Sequence, residues 1–124
     1  MTKQKHVQPT EKELAILAVL WEKGPSTVRQ VHEILTQTDR TGYTTTLKLM
    51  QIMTEKGLLR RNDAQRTHIY RAKHPQQATQ QRLVKNLLEK AFAGSAENLV
   101  MQALSAKKIS PEELTKIRKL LDTF

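Results

Sequence analysis

The sequence predicts a mainly α-helical protein, in which a winged helix-turn-helix domain with a small two-stranded wing precedes a three-helix region. Residues 43–56 carry apolar side chains at helical spacing and end at Lys56-Gly57. Two short β-like runs, LLRR at 58–61 and HIYR at 68–71, then flank a polar turn at 62–65. A helix leading straight into a basic hairpin is typical of a winged helix-turn-helix. No strand pattern recurs after Pro75, which predicts helices alone in the rest of the chain.

The charge of the chain favours a polyanionic partner. Its 124 residues suffice for one or two small domains and include 21 Lys and Arg against 12 Asp and Glu, a formal charge of +9. Residues 1–75 carry 13 of the basic and 7 of the acidic side chains. Only 4% of the residues are aromatic, which is few for a protein that stacks single-stranded bases. Double-stranded DNA is therefore the expected partner.

Several other classes of protein are disfavoured. The chain has no cysteine, which excludes disulfides and thiolate-bound metals, and His6, His32, His68 and His74 share no ligand spacing. We therefore expect no metal site and no cofactor. No phosphate-binding glycine loop or nucleophile elbow is present, so we do not expect an enzyme. No apolar run approaches the roughly 20 residues of a membrane span, and residues 1–9 lack the apolar core of a secretory signal. We expect a soluble, cytoplasmic protein.

Three domain segments are predicted, an N-terminal arm (1–8), the winged helix domain (9–75) and a helical dimerisation domain (76–124). Thr10 and Glu13 fit a capping box at the start of the first helix, which ends at Gly24-Pro25. Ser26 or Thr27 is expected to cap the second helix. The side chains predicted to face the core are, in the first helix, Leu14, Leu17, Ala18 and Trp21, and, in the second, Val28, Val31, Ile34 and Leu35.

The third helix, from about Tyr43 to Lys56, is the predicted recognition helix. Projection at 3.6 residues per turn places Thr46, Leu49, Met50 and Met53 inward. It places Thr44, Thr45, Lys48 and Gln51 outward, near the end of the helix that would enter the groove. Hydroxyl, amine and amide groups of these types bind phosphates or base edges. The simpler alternative is an amphipathic helix whose polar face is only solvated.

The wing, from Leu58 to Ala72, carries the second set of candidate contacts. Arg60, Arg61, Arg66 and Arg71 supply positive charge on the wing strands and near the tip. The candidate DNA contacts among them are Arg60, Arg61 and Arg66, with Arg66 beside the turn as the best candidate for a phosphate or minor-groove contact. Strand alternation is expected to turn Leu59, Ile69 and Tyr70 toward the core. The alternative here is a solvated hairpin whose arginines serve solubility.

The segment after Pro75 is expected to hold two chains together. Its predicted helices run from 76 to Gly94, from about Ala96 to Leu104, and from the Ser110 cap to Phe124. Fewer than 50 residues cannot bury this much apolar surface alone, which indicates a symmetric homodimer. The side chains predicted to form the interface are Leu83, Leu87, Phe92, Leu99, Leu104, Leu114, Ile117 and Leu121.

Three stretches together carry a resemblance to a known family. They are ELAILAVLWEKGPSTVRQVHEIL, then YTTTLKLMQIMTEKGLLRR, then RTHIYRA, and the likeness continues through the helical tail over about residues 9–124. The chain resembles the penicillinase repressor family. The resemblance implies a homodimeric winged-helix repressor on pseudo-palindromic operators, dimerised by its C-terminal helices. It also implies, for the best-known members, release by proteolysis after a membrane sensor-protease detects β-lactam.

The chain departs from the family pattern at two places. Family members commonly have basic residues at the positions of Leu47 and Ile52, so the operator contacts are expected to differ. Antibiotic-responsive members are cut at an Asn-Phe bond in the middle tail helix, and the matching positions here are Gln102 and Ala103. Those two residues are the candidate cleavage site. The competing interpretation is a protein-interaction module on a winged-helix scaffold, which an apolar outward face of the third helix would favour.

Overall fold

The computed structural model describes residues 8–124 and confirms the predicted fold class. Three helices, a two-stranded antiparallel sheet and three further helices follow one another along the chain. The elements are α1 (Glu11–Lys23), α2 (Val28–Leu35), α3 (Tyr43–Glu55), β1 (Leu59–Asn62), β2 (Ile69–Ala72), α4 (Gln76–Ala91), α5 (Ala96–Ser105) and α6 (Pro111–Leu121). The predicted arm at 1–8 falls almost wholly outside the described residues.

Side-chain caps set the starts of α1 and α2, as the sequence predicted. Thr10 accepts from the Glu13 N–H, and the Glu13 carboxylate accepts from the Thr10 N–H. Thr27, rather than Ser26, caps α2 and forms a second capping box with Gln30. Ser26 instead makes a two-bond bridge to Tyr70, in which each backbone N–H donates to the other residue's carbonyl at 2.9 and 2.8 Å. This bridge fastens β2 to the α1–α2 connection.

The core-facing side of α1 differs from the prediction. The buried face carries Ile16, Leu17 and Leu20, whereas Ala18 is exposed and Leu14 and Trp21 are only partly buried. The reason is that residues 14–21, LAILAVLW, are apolar without interruption. Such a run has no apolar stripe at helical spacing that would mark one face of the helix for burial. The packing of α1 against α2, α3 and β2 therefore determines which face is buried.

The wing sheet also corrects one prediction. Leu59 pairs with Ala72 and Arg61 with Tyr70, which places these four side chains on one face; Leu59 and Tyr70 are buried in the core. Ile69 pairs with Asn62 on the opposite face and is only partly buried. Adjacent residues of a strand point to opposite sides of a sheet, so Ile69 and Tyr70 cannot both face the core. Tyr70 has the larger apolar surface and occupies the inner side.

The chain divides into two compact units, one ending at Gln81 and the other running from Arg82 to Phe124. The first turns of α4 belong to the first unit, in which Thr79 is buried and the Trp21 indole N–H donates to the His74 carbonyl at 3.0 Å. In the second unit no residue is buried. Leu87, Met101, Leu120 and Leu121 there are between 46% and 58% exposed.

Candidate nucleic-acid interface

The outward face of α3 is polar and accessible. Thr44, Thr45, Lys48 and Gln51 are all exposed, while Thr46, Met50 and Met53 on the opposite side are fully buried. Leu47 and Leu49 are partly buried against the core, and Ile52 is partly buried. The large hydrophobic side chain that is exposed on α3 is Tyr43, at 41%. This face therefore has hydrogen-bonding groups where the protein-interaction alternative required apolar surface.

The beginning of α3 has accessible backbone donors. Gly42 is the N-cap and provides no side-chain hydrogen bond to the helix, and the first turn contains no acidic residue. The first N–H groups of a helix have no partner within it, and the helix dipole is positive at this end. The start of α3 is thus electrostatically suited to a phosphate group, next to the hydroxyls of Thr44 and Thr45.

A partly buried ion pair fixes the other end of α3. The Lys56 amine, at the C-cap of α3, lies 3.0 and 2.9 Å from the two carboxylate oxygens of Glu13 on α1. Glu13 is only 2% exposed. Burial of the Glu13 carboxyl acts to raise its pKa, but the hydrogen bonds from Lys56 and from the Thr10 N–H outweigh burial and bring the pKa below its ordinary value. The pair holds the end of α3 against α1.

Two arginines lie directly opposite each other on the outer face of the wing. Arg60 and Arg71 are cross-strand partners in the β1–β2 register, and both are exposed. In the part of the chain that the structure describes, neither has an acidic partner within ion-pair distance. Like charges placed opposite each other destabilise an antiparallel pair, so the wing has a local excess of positive charge that an anion would relieve.

Arg61 lies on the other face of the wing and has a protein partner. Its guanidinium contacts both carboxylate oxygens of Asp63, at 2.7 Å from Nε and 3.2 Å from Nη2. The hydrogen bond to Asp63, followed by one to Tyr70, raises the pKa of Arg61 above its ordinary value. To bind a phosphate, Arg61 would have to share or break its hydrogen bonds with Asp63. Arg60 takes part in none of the ion pairs among the described residues and would have no such bond to break.

The tip of the wing is a short polar turn. The Asn62 side-chain carbonyl accepts from the Ala64 N–H at 2.9 Å, which closes the turn. Arg66 follows and is exposed, and none of the ion pairs of the described residues involves it. The turn therefore presents Arg66 to solvent at the end of the hairpin.

The predicted tail residues lie in the second unit, on α4, α5 and α6 except for Phe92, which immediately follows α4. Leu83, Phe92, Leu99, Leu104, Leu114 and Ile117 are partly buried, and Leu87 and Leu121 are exposed. Gln102 and Ala103 are exposed side chains within α5. Residues 8–124 contain no cluster of three or more His, Asp or Glu side chains that could hold a metal ion. Among the helices described, none has both the length and the apolar character to cross a membrane.

A family model described as penicillinase repressor matches residues 9–123, which is nearly the whole chain. The chain belongs to the penicillinase repressor family. This penicillinase repressor family protein is therefore a DNA-binding transcriptional repressor with a winged-helix fold, and the family is one of regulators rather than enzymes. A search of curated proteins gives no match to it.

Two residues beside the predicted contacts of this family member, Arg29 and Tyr43, were not identified from the sequence as contact residues. The wing charge of Arg71 was predicted, but its position opposite Arg60 depends on the strand register. Arg29 and Tyr43 contact each other across α2 and α3, with the guanidinium carbon 5.5 Å from the ring centroid. No local sequence signal links two residues that are separated by the whole α2–α3 turn.

Proposed function

We propose that this cytoplasmic repressor binds pseudo-palindromic operators as a homodimer. In this proposal Thr44, Thr45, Lys48 and Gln51 of α3 contact base edges and nearby phosphates in the major groove. Arg60, Arg61 and Arg66 of the wing contact flanking phosphates. The observation that carries the proposal is the opposed Arg60–Arg71 pair. Two like charges opposite each other destabilise the wing of the free protein. Binding to the phosphates of DNA would remove this repulsion.

Selection from random duplex libraries followed by footprinting tests sequence-specific binding. We expect an enriched, two-fold symmetric sequence with half-sites about one helical turn apart, roughly 34–36 Å. Lys48→Ala and Thr45→Ala should reduce the preference for the selected duplex over a scrambled one. Arg66→Ala should weaken binding to both duplexes alike, because a phosphate contact carries no sequence information. A library that yields no enriched sequence would rule the proposal out.

The homodimer is supported by the tail unit, which has apolar side chains on every helix and no buried residue between Arg82 and Phe124. Leucine and phenylalanine side chains left at the surface in this number are usually covered by a partner. A second copy supplies the same apolar surface through a two-fold interface. Sedimentation equilibrium at micromolar concentration should give the mass of two chains, and a clean monomer would refute the dimer.

Release from the operator is proposed to follow cleavage of the tail at or near Gln102-Ala103 by a membrane sensor-protease. Both residues are exposed within a ten-residue helix that has no buried side chain. Cleavage there would separate Leu114, Ile117 and Leu121 from the winged unit. Each half-site would then be bound singly, without the effective concentration that linkage provides. Immunoblots before and after induction of the controlled genes should show loss of the full-length protein; its persistence would exclude this route.

A further inference from the structure

We propose that Arg29, held against Tyr43, binds a DNA phosphate from α2. This contact is additional to those of α3 and the wing. The inference rests on the proposed DNA interface, which it extends by one backbone contact per subunit. It is carried by the geometry of three side chains, Arg29, His32 and Tyr43, at the junction of α2 with the start of α3.

The ring of Tyr43 is in contact with side chains of α2. The Arg29 guanidinium carbon lies 5.5 Å from the ring centroid, within the range of a cation–π contact. The His32 ring meets the Tyr43 ring edge-on, with centroids 5.6 Å apart and planes at 86°. Arg29 and His32 are three residues apart in α2 and so share one helix face. This face is turned toward the first residue of α3.

The Arg29 guanidinium has unused hydrogen-bonding capacity. Arg29 is exposed, and the ion pairs found among residues 8–124 do not include it. The guanidinium has five N–H donors in a planar fork, and a single ring contact at 5.5 Å does not occupy them all. The contact with Tyr43 therefore restricts the side chain while leaving donors for an acceptor outside the protein. Phosphate oxygens match this planar donor edge.

The position of the pair indicates which anion it meets. Tyr43 is the first residue of α3, immediately after the Gly42 N-cap that makes no side-chain hydrogen bond. The guanidinium thus lies beside the end of the helix whose backbone N–H groups are available to an anion. In a helix-turn-helix the recognition helix enters the groove while the preceding helix crosses the backbone. A cation on α2 beside the start of α3 is therefore placed for the phosphate chain rather than for base edges.

His32 limits the freedom of Tyr43. Its Nδ1 atom is buried and has no hydrogen-bond partner within the described residues, so the ring is held by packing on this side. Tyr43, although 41% exposed, is consequently in contact with α2 through two side chains. We assign Tyr43 the role of a positioning residue, which acts on DNA through Arg29.

The test measures binding to a mixed-sequence duplex as a function of salt, which does not require the operator to be known. Arg29→Gln should flatten the plot of log affinity against log salt by about 0.9 for each phosphate that the arginine no longer neutralises. Lys108→Gln, which removes one charge from the exposed α5–α6 connection, should leave the slope unchanged. A slope for Arg29→Gln equal to that of the parent would overturn the inference. A parent chain that does not bind any duplex would instead overturn the proposed function.

The positioning role of Tyr43 is tested by a double-mutant cycle. Tyr43→Leu should weaken binding about 2- to 5-fold, as expected when an exposed cation–π contact is removed, while Tyr43→Phe retains the ring and should bind like the parent. In the Arg29→Gln background Tyr43→Leu should have no further effect. An equal weakening in both backgrounds would show that Tyr43 acts independently of Arg29. Circular dichroism checks that each variant is folded, and the Arg29→Gln and Tyr43→Phe arms decide the question if Tyr43→Leu does not fold.

Discussion

Replacement of Lys56 by methionine should destabilise the winged unit, because it leaves a buried carboxylate without its cation. Glu13 is 2% exposed and accepts hydrogen bonds at 3.0 and 2.9 Å from Lys56 and at 2.9 Å from the Thr10 N–H. Removing one partner of a buried ion pair costs about 3–5 kcal/mol. Here the Thr10 bond remains, and the Lys56 side chain is 29% exposed, so water can reach the vacated site. We therefore expect a loss of about 2–3 kcal/mol.

Urea unfolding followed by the fluorescence of Trp21, the single tryptophan, reports on this unit. Lys12→Met, at an exposed position in the first turn of α1, is the matched control and should change stability by less than about 0.5 kcal/mol. The double variant Glu13→Gln with Lys56→Met should recover much of the stability, because the buried charge is then removed together with its partner. In thermal unfolding the single variant should melt roughly 10–20 °C lower. Equal unfolding midpoints for Lys56→Met and Lys12→Met would show that the Glu13 carboxylate does not need its cation for stability.

Three further predictions follow from the charges and apolar faces described above. The pKa of Glu13 lies below its ordinary 4.5, so the folded state binds this proton more weakly than the unfolded state. The stability that ionised Glu13 contributes is therefore fully present above pH 4.5 and is lost as the pH falls through the pKa of the folded state. Urea unfolding at several pH values should show that Glu13→Gln lacks this pH-dependent loss. The same dependence of unfolding free energy on pH in the variant and the parent would contradict the prediction. Leu114→Asp with Ile117→Asp should give monomers in sedimentation equilibrium, because each charge would be buried unpaired in the interface; a persistent dimer would place the interface elsewhere. Arg60→Thr should stabilise the wing by up to about 0.5 kcal/mol, because it relieves the like-charge pair. The same change should weaken duplex binding and flatten the dependence of log affinity on log salt. An unchanged salt dependence together with unchanged stability would argue against the opposed pair as a DNA contact.

The local elements could be predicted from the sequence because each carries its own signals. Thr10 with Glu13, Gly24-Pro25 and Gly57 mark the helix ends of the first unit, and Ser110-Pro111 starts α6. These signals act through hydrogen bonds and backbone preferences within a few residues, so they depend little on the rest of the fold. The inward and outward faces of α3 could also be predicted locally, because its apolar side chains recur at the 3.6-residue spacing of a helix and its polar side chains lie between them.

The amino-acid pattern alone predicts the fold class, the order of the elements, the basic character of the winged unit and the apolar character of the tail. Which residues meet across these elements depends on how the folded chain packs. Contacts among α1, α2, α3 and β2 chose the buried face of the uninterrupted apolar run in α1. Strand register placed Arg71 opposite Arg60 and turned Ile69 outward. The Glu13–Lys56 and Arg29–Tyr43 pairs join residues 43 and 14 positions apart, and such contacts exist only once packing has brought their helices together.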